Sequence, residues 1–417
     1  MQRRFVAVVI PVIIACLMSI RPVFPAEKIP SIGKPASEPH RLRFFEGPIT
    51  AAQVRPHIEY LASPELKGRS GPGARLAAKY IVAHFRKWGL KPLFKQGGRS
   101  KTSGSYYQAI PGRPVMRQGR RARPLLGRNV GAWIPGRDPA LHDDVVIVSA
   151  HYDHLGVRNG RIYRGADDNA SGVSMMLEVA RQIANSPVKP RRSIVFIGFD
   201  LEERLLWGSR WFAAHPPWPL QRVKLFITAD MIGRSLGNLP LSAVFVLGSE
   251  HAPQLKRVLD RVGTPRGLEV ARLGTDLIGT RSDYGPFRDR KVPYLFFSTG
   301  EHPDYHTPDD VPERVDYEKV ARVSGLVLRV CRRVANAKTI PRWTDTTAPD
   351  LDEARALNRI ATLLLAARGA HKLTAVQQIV VTSARDQTRQ IIDRGRMTAG
   401  ERSWLIGFSQ FMLLAIF

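Results

Sequence analysis

Four short runs of this chain, 145–148 (VVIV), 193–199 (SIVFIGF), 225–228 (LFIT) and 294–297 (YLFF), are apolar almost continuously rather than at alternate residues. A strand with one face in water alternates, so a continuous run belongs to a strand covered on both faces. Helical spacing fills the intervals. Leu76, Ala77, Tyr80, Ile81, Ala83, His84 and Phe85 recur at helical period before Gly89, a natural stop. Residues 171–184, 252–262 and 317–335 read as further helices, and Val244–Leu247 as a further strand. Apolar strands alternating with helices predict an α/β chain: a three-layer α/β/α fold around a mostly parallel mixed sheet.

The residues that follow these strands carry the chemistry. His151-Tyr152-Asp153 comes just after the first run and Glu202-Glu203 after the second. Asp230 follows the third, and Asp304-Tyr305-His306-Thr307 lies beyond the fourth; Gly165-Ala166-Asp167-Asp168-Asn169 precedes a helix. In open α/β sheets, sites gather beyond the carboxyl ends of the strands. Two neighbouring divalent ions need a carboxylate whose two oxygens can serve one ion each, and Asp167 is the candidate. One ion then takes His151 and Asp230, the other Glu203 and His306. A histidine and carboxylate set without thiolate suits two Zn2+, and tolerates Co2+ or Mn2+. Glu202, beside a ligand but free to point elsewhere, is the candidate general base. Asp153 is placed to accept the other ring N–H of His151, and the Tyr305 phenol to stabilise an oxyanion.

Each stretch alone has an ordinary reading. Paired acids often open a helix, and an Asp-Asp-Asn cluster often caps one. Five such coincidences along one sheet edge are far less expected than one site. Other chemistries lack their motifs: there is no Gly-x-Ser-x-Gly, no phosphate-binding Walker loop, and Gly68 to Gly73 follows no strand.

The 417 residues carry a formal charge of +27, yet the basic residues are scattered and form no stripe interleaved with aromatics, so no nucleic-acid partner is expected. Met1-Gln2-Arg3-Arg4 followed by apolar 5–20 reads as an export segment. Residues 1–26 form either a signal peptide or a membrane or lipid anchor, the last through Cys16. The expected location is periplasmic or extracellular, or anchored on the outer face. Residues 27–340 are assigned to the main domain, with 27–50 as an ordered arm or linker, 95–127 as a surface excursion and 234–290 as pocket rim and lid. Residues 341–417 form a C-terminal helical extension, read as a hairpin packed on that domain or as an oligomer or membrane-surface contact.

The strings Ala150 to Gly156 (AHYDHLG), Gly165 to Gly172 (GADDNASG), Asp230 to Arg234 (DMIGR) and Asp304 to Asp309 (DYHTPD) closely resemble the signatures of secreted di-zinc aminopeptidases of the M28 family, over roughly 68–334. The resemblance implies a zinc exopeptidase acting on peptide or protein N-termini. It implies His151, Asp167, Glu203, Asp230 and His306 as ligands with Asp167 bridging, Glu202 as base and Tyr305 as oxyanion donor. It further implies a cis peptide between Asp167 and Asp168. The chain departs from the pattern at Leu201, at Leu205-Leu206 and at Ser282-Asp283-Tyr284, and it lacks room for a protease-associated insert. Two alternatives share the fold, a glutaminyl cyclase and a carboxypeptidase; a third is a non-catalytic binding module, which would be expected to have lost its ligands.

Overall fold

The computed structural model of the protein describes residues 47–95, 104–117, 120–367 and 373–415. The proposed export segment and Cys16 lie outside the described residues.

The continuous apolar runs become the centre of a nine-stranded sheet. Its strands in chain order are β1 (Lys91–Pro92), β2 (Tyr107–Pro111), β3 (Leu125–Ile134), β4 (Val145–His151), β5 (Ser193–Phe199), β6 (Val223–Ala229), β7 (Ala243–Leu247), β8 (Glu269–Leu273) and β9 (Tyr294–Ser298). In space they run β1-β3-β5-β4-β6-β9-β7-β8, with β2 also paired to β3. The four central strands β5, β4, β6 and β9 are mutually parallel. Antiparallel pairs of β3 with β5 and of β7 with β9 flank them, which makes the sheet mixed around a parallel centre. Every residue of β4 and β5 is buried, as their unbroken hydrophobicity requires.

Helices cover both faces. In chain order they are α1 (Ala51–Leu61), α2 (Pro72–Lys87), α3 (Gly172–Ala184), α4 (Trp207–Ala214), α5 (Gln254–Val262), α6 (Tyr317–Asn336), α7 (Leu351–Ala366), α8 (Ala375–Arg394) and α9 (Ala399–Ala415). Alternate strand residues such as Val146, Val148 and Phe196 pack against Ile81 and Phe85 of α2, Met176 of α3 and Val327 of α6. Their neighbours Ile147, Ile197 and Phe226 face the other way, into a second core. That core includes Phe212 of α4 together with Leu357 and Ile360 of α7 and Leu405 and Phe408 of α9. The C-terminal extension therefore packs on the main domain and completes its third layer. Among the described residues no helix is long and apolar enough to cross a membrane.

Helix starts follow local chemistry. The Asp316 and Asp350 carboxylates accept the backbone N–H groups of Lys319 and Asp352, and Thr374 accepts that of Gln377.

Two sequence expectations need correction. The stretch 95–127 is not only a surface excursion, since it supplies β2 and the start of β3. The first half of β3 is exposed or half-buried and only its second half enters the core, so its apolar signal is diluted. Residues 234–290 contribute, besides the expected strand β7, a second strand of the sheet, β8. That strand alternates in burial and is too short for a clear period.

Candidate metal centre

Parallel register sets the site. His151 at the end of β4 pairs across from Phe199 at the end of β5, and the Asp230 N–H donates to Phe297 O of β9, 3.0 Å away. The chain turns sharply as it leaves this edge. Leu201, Met231 and His306 take φ of 60°, 56° and 54°, left-handed values that side chains disfavour and that concentrate at functional sites.

The side chains converge in two groups. His151 Nε2 lies 3.3 Å from Asp168 Oδ1 and 3.3 Å from Asp230 Oδ1. His306 Nε2 lies 3.2 Å from Asp168 Oδ2 and 3.1 Å from Glu203 Oε2. The pairing of His151 with Asp230 and of Glu203 with His306 is the one predicted. Asp168 stands in both groups, one oxygen toward each.

Asp167, expected at the centre, is elsewhere. Its Oδ1 accepts the Gly233 N–H at 2.6 Å and its Oδ2 faces His302 Nε2 at 3.4 Å. Adjacent residues of the turn at Ala166–Ser171 send their side chains in different directions, so a shift of one position exchanges the inward carboxylate for a structural one. The cis peptide also lies one bond later than the resemblance implies, between Asp168 and Asn169.

Asp153 sits where expected, its Oδ1 3.7 Å from His151 Nδ1 and its carbonyl oxygen 3.3 Å from the same nitrogen. The same Oδ1 accepts the Glu202 N–H at 3.0 Å, which ties the histidine to the loop bearing the paired glutamates. Tyr305 stacks on His306 with ring centroids 3.9 Å apart. Glu202 and Tyr305 border a cavity together with Asp168 and Asp230.

Charge balance shows what the cluster requires. Burial opposes ionisation of Asp168, but His154, His151 and His306 outweigh it and hold the carboxyl well below its usual range. Burial likewise opposes the charge on His306, yet its bonds to Asp168 and Glu203 raise its pKa to about 10. His151 is also raised well above normal, because Asp230 and Glu202 overcome its burial. Both imidazoles thus face a surplus of carboxylate charge, which a divalent cation bound in place of their protons would offset. The donors, imidazole nitrogen and carboxylate oxygen, fit zinc. Glu202 differs from its neighbour: burial pushes its pKa well up, while hydrogen bonds from His154 and His306 bring Glu203 down against burial and the Asp168 charge. Burial also raises the Tyr305 phenol, which keeps its proton available for donation.

Sequence reasoning missed three supports. His154 Nδ1 lies 2.8 Å from Glu203 Oε1 and joins Asp168 and Glu203 as a group able to hold a metal ion. Its position three residues after His151 in the AHYDHLG string was the available signal. Arg69 is completely buried and donates to the carbonyl oxygens of Tyr152, Leu61, Arg164, Gly165 and Asp168. Asp310 accepts the N–H groups of Asp167 and Asp168 at 2.9 and 3.0 Å. Both hold the turn from behind, and nothing in their local sequence announces it.

Comparison with known proteins places a large part of the chain beside peptidases. Residues 129–331 match Peptidase family M28. The chain is 29% identical over 227 residues to the Bacillus subtilis aminopeptidase YwaD, covering 51% of this chain and 47% of that one, so it spans about half of that relative's length. It is 26% identical over 222 residues to a glutaminyl-peptide cyclotransferase of Boiga irregularis, covering 44% of this chain and 60% of that one. The crystal structure of a zinc aminopeptidase from Bacillus subtilis superposes with a TM-score of 0.52 at 18% identity, covering 73% of this chain and all of that one.

Proposed function

We propose, from the match of residues 129–331 to Peptidase family M28, that the protein is a zinc-dependent aminopeptidase that hydrolyses the N-terminal peptide bond of peptides or proteins. The observation that carries the reading is Asp168, which presents one oxygen to the His151–Asp230 pair and the other to the Glu203–His306 pair. Those five residues would hold two zinc ions, which when bound polarise the scissile carbonyl and lower the pKa of water. Glu202 takes the proton from the attacking water and returns it to the leaving amine. The raised pKa that burial gives it suits a group that must hold that proton between the two steps. Tyr305 donates its phenolic proton in a hydrogen bond to the oxyanion. Asp153 fixes His151 by accepting from Nδ1.

Export completes the reading. The charged and then apolar residues 1–20 support a periplasmic, extracellular or outer-face location, and membrane or envelope association through that segment.

The similarity to a glutaminyl-peptide cyclotransferase supports a second reading, cyclisation of N-terminal glutamine. The cavity beside Asp230 is lined mostly by apolar residues such as Phe245, Leu247 and Phe296, which weighs against it, since a carboxamide buried there gives up water for few polar partners.

A Glu202→Ala variant tests the mechanism. It is expected to lose on the order of 10²–10⁴-fold in turnover of peptides with a free amino end while keeping its zinc. Full activity in that variant would overturn the assignment of the base, and cleavage of amino-blocked peptides would overturn the exopeptidase reading.

A further inference from the structure

The match to the peptidase family stops at residue 331, yet the cavity that opens on Asp168, Glu202, Asp230 and Tyr305 is completed by side chains from beyond that point. We propose that the C-terminal helices are part of the substrate site: α7 and α9 build the far wall of an apolar pocket that accepts one large apolar side chain, and Arg402 holds that wall in place. The occupant, the side chain of the N-terminal residue, rests on the aminopeptidase reading above.

The cavity is about 130 Å³. An apolar cavity of roughly 150 Å³ takes a benzene ring, so this one has room for a leucine, methionine or phenylalanine side chain. Leu247 and Phe296 line it from the sheet, and Leu357, Ile360, Met412 and Leu413 from the extension. The lining is mostly apolar, with Arg281, Ser298, Glu301 and Ser409 its polar members away from the metal groups, so a charged or carboxamide side chain exchanges water for few partners, and an alanine leaves much of the space unfilled.

One guanidinium fixes these pieces relative to one another. Arg402 of α9 is buried and grips Glu353 of α7 through Nε and Nη2 at 2.8 and 2.9 Å. Its Nη1 and Nη2 also hold the two carboxylate oxygens of Asp276, each at 2.7 Å. Asp276 belongs to the turn Thr275–Leu277, and Leu277 lines the same cavity. Ser409 adds a bond from α9 to the Leu277 carbonyl oxygen at 2.7 Å. Paired forks of this kind fix orientation as well as distance, so Arg402 is a positioning residue for the pocket.

The test uses the full chain, loaded with zinc, against amides of N-terminal Ala, Leu, Phe, Trp, Gln and Glu. The wild type is expected to favour Leu or Phe over Ala, Gln and Glu by about 10- to 200-fold in kcat/KM. Ile360→Phe fills the pocket and should cut the Leu-to-Ala ratio by about tenfold or more. Met412→Ala enlarges it and should raise the Trp-to-Leu ratio, which keeps the proposal testable if the filling variant fails to fold. Arg402→Met should narrow the discrimination among side chains. A second readout is calorimetric binding of leucinamide and alaninamide to metal-stripped protein, where leucinamide should bind more tightly and Ile360→Phe should erase the difference. If the wild type cleaves peptides but both pocket variants keep its ratios and its binding difference, the pocket proposal is overturned and the peptidase reading stands. If no free-amino peptide is cleaved while the binding difference holds and responds to Ile360→Phe, the peptidase reading fails and the pocket stands.

Discussion

Asp167 and Asp168 are neighbours in the chain and opposites in the fold. The carboxylate of Asp168 lies 3.3 Å from His151 and 3.2 Å from His306, whereas that of Asp167 is turned onto the Gly233 N–H and His302. Two substitutions of equal chemistry should therefore differ in kind. Asp168→Asn is expected to reduce zinc binding at both positions, while Asp167→Asn keeps the ligand set and acts through stability. Zinc content after dialysis, beside a thermal melt, separates them, and equal metal loss in both would contradict the assignment.

His154 holds Glu203 by a hydrogen bond of 2.8 Å. Removing a partner that orients a ligand typically costs about 10- to 100-fold in metal affinity, so His154→Ala should weaken zinc binding by that amount. Titration against a chelator of known affinity reads the change; an unaltered affinity would show that His154 neither orients Glu203 nor binds metal.

Arg69 serves five carbonyl oxygens from a position with no exposed surface. Arg69→Met leaves several buried acceptors without donors and is expected to destabilise the fold by about 3 kcal/mol or more. Denaturant unfolding measures it, and a loss under about 1 kcal/mol would mean that the turn finds other donors.

Leu205 departs from the family pattern and stands at φ 63°, the residue 78% exposed. A left-handed residue other than glycine costs roughly 1–2 kcal/mol, partly offset by the roughly 0.5–1 kcal/mol of extra chain entropy that glycine loses. Leu205→Gly should accordingly be neutral or stabilising by up to about 1.5 kcal/mol. A clear destabilisation in the same unfolding experiment would show that the exposed leucine makes a contact that matters.

What the sequence revealed followed from period and position. The central strands were legible because burial on both faces leaves unbroken runs such as SIVFIGF, and α2, α3, α5 and α6 because their apolar faces recur at helical spacing, whereas α1 and α4 were not read. The paired groupings of His151 with Asp230 and of Glu203 with His306 were legible because parallel strands deliver their last residues to one edge. The choice between Asp167 and Asp168 was not, since it depends on the path of one turn, where a single residue reverses the direction of a side chain. The strands β3 and β8 were hidden because partial exposure blurs their period. Arg69, Asp310 and the C-terminal wall of the cavity depend on contacts between distant parts of the chain, which local pattern does not encode.

The most direct test of the central claim is a crystal structure of zinc-loaded protein with diffraction collected on both sides of the zinc absorption edge. The account predicts two anomalous peaks, one beside His151 and Asp230 and one beside Glu203 and His306, with Asp168 between them. Peaks that lie against Asp167 instead, or no zinc at these residues in material that cleaves free-amino peptides, would contradict it.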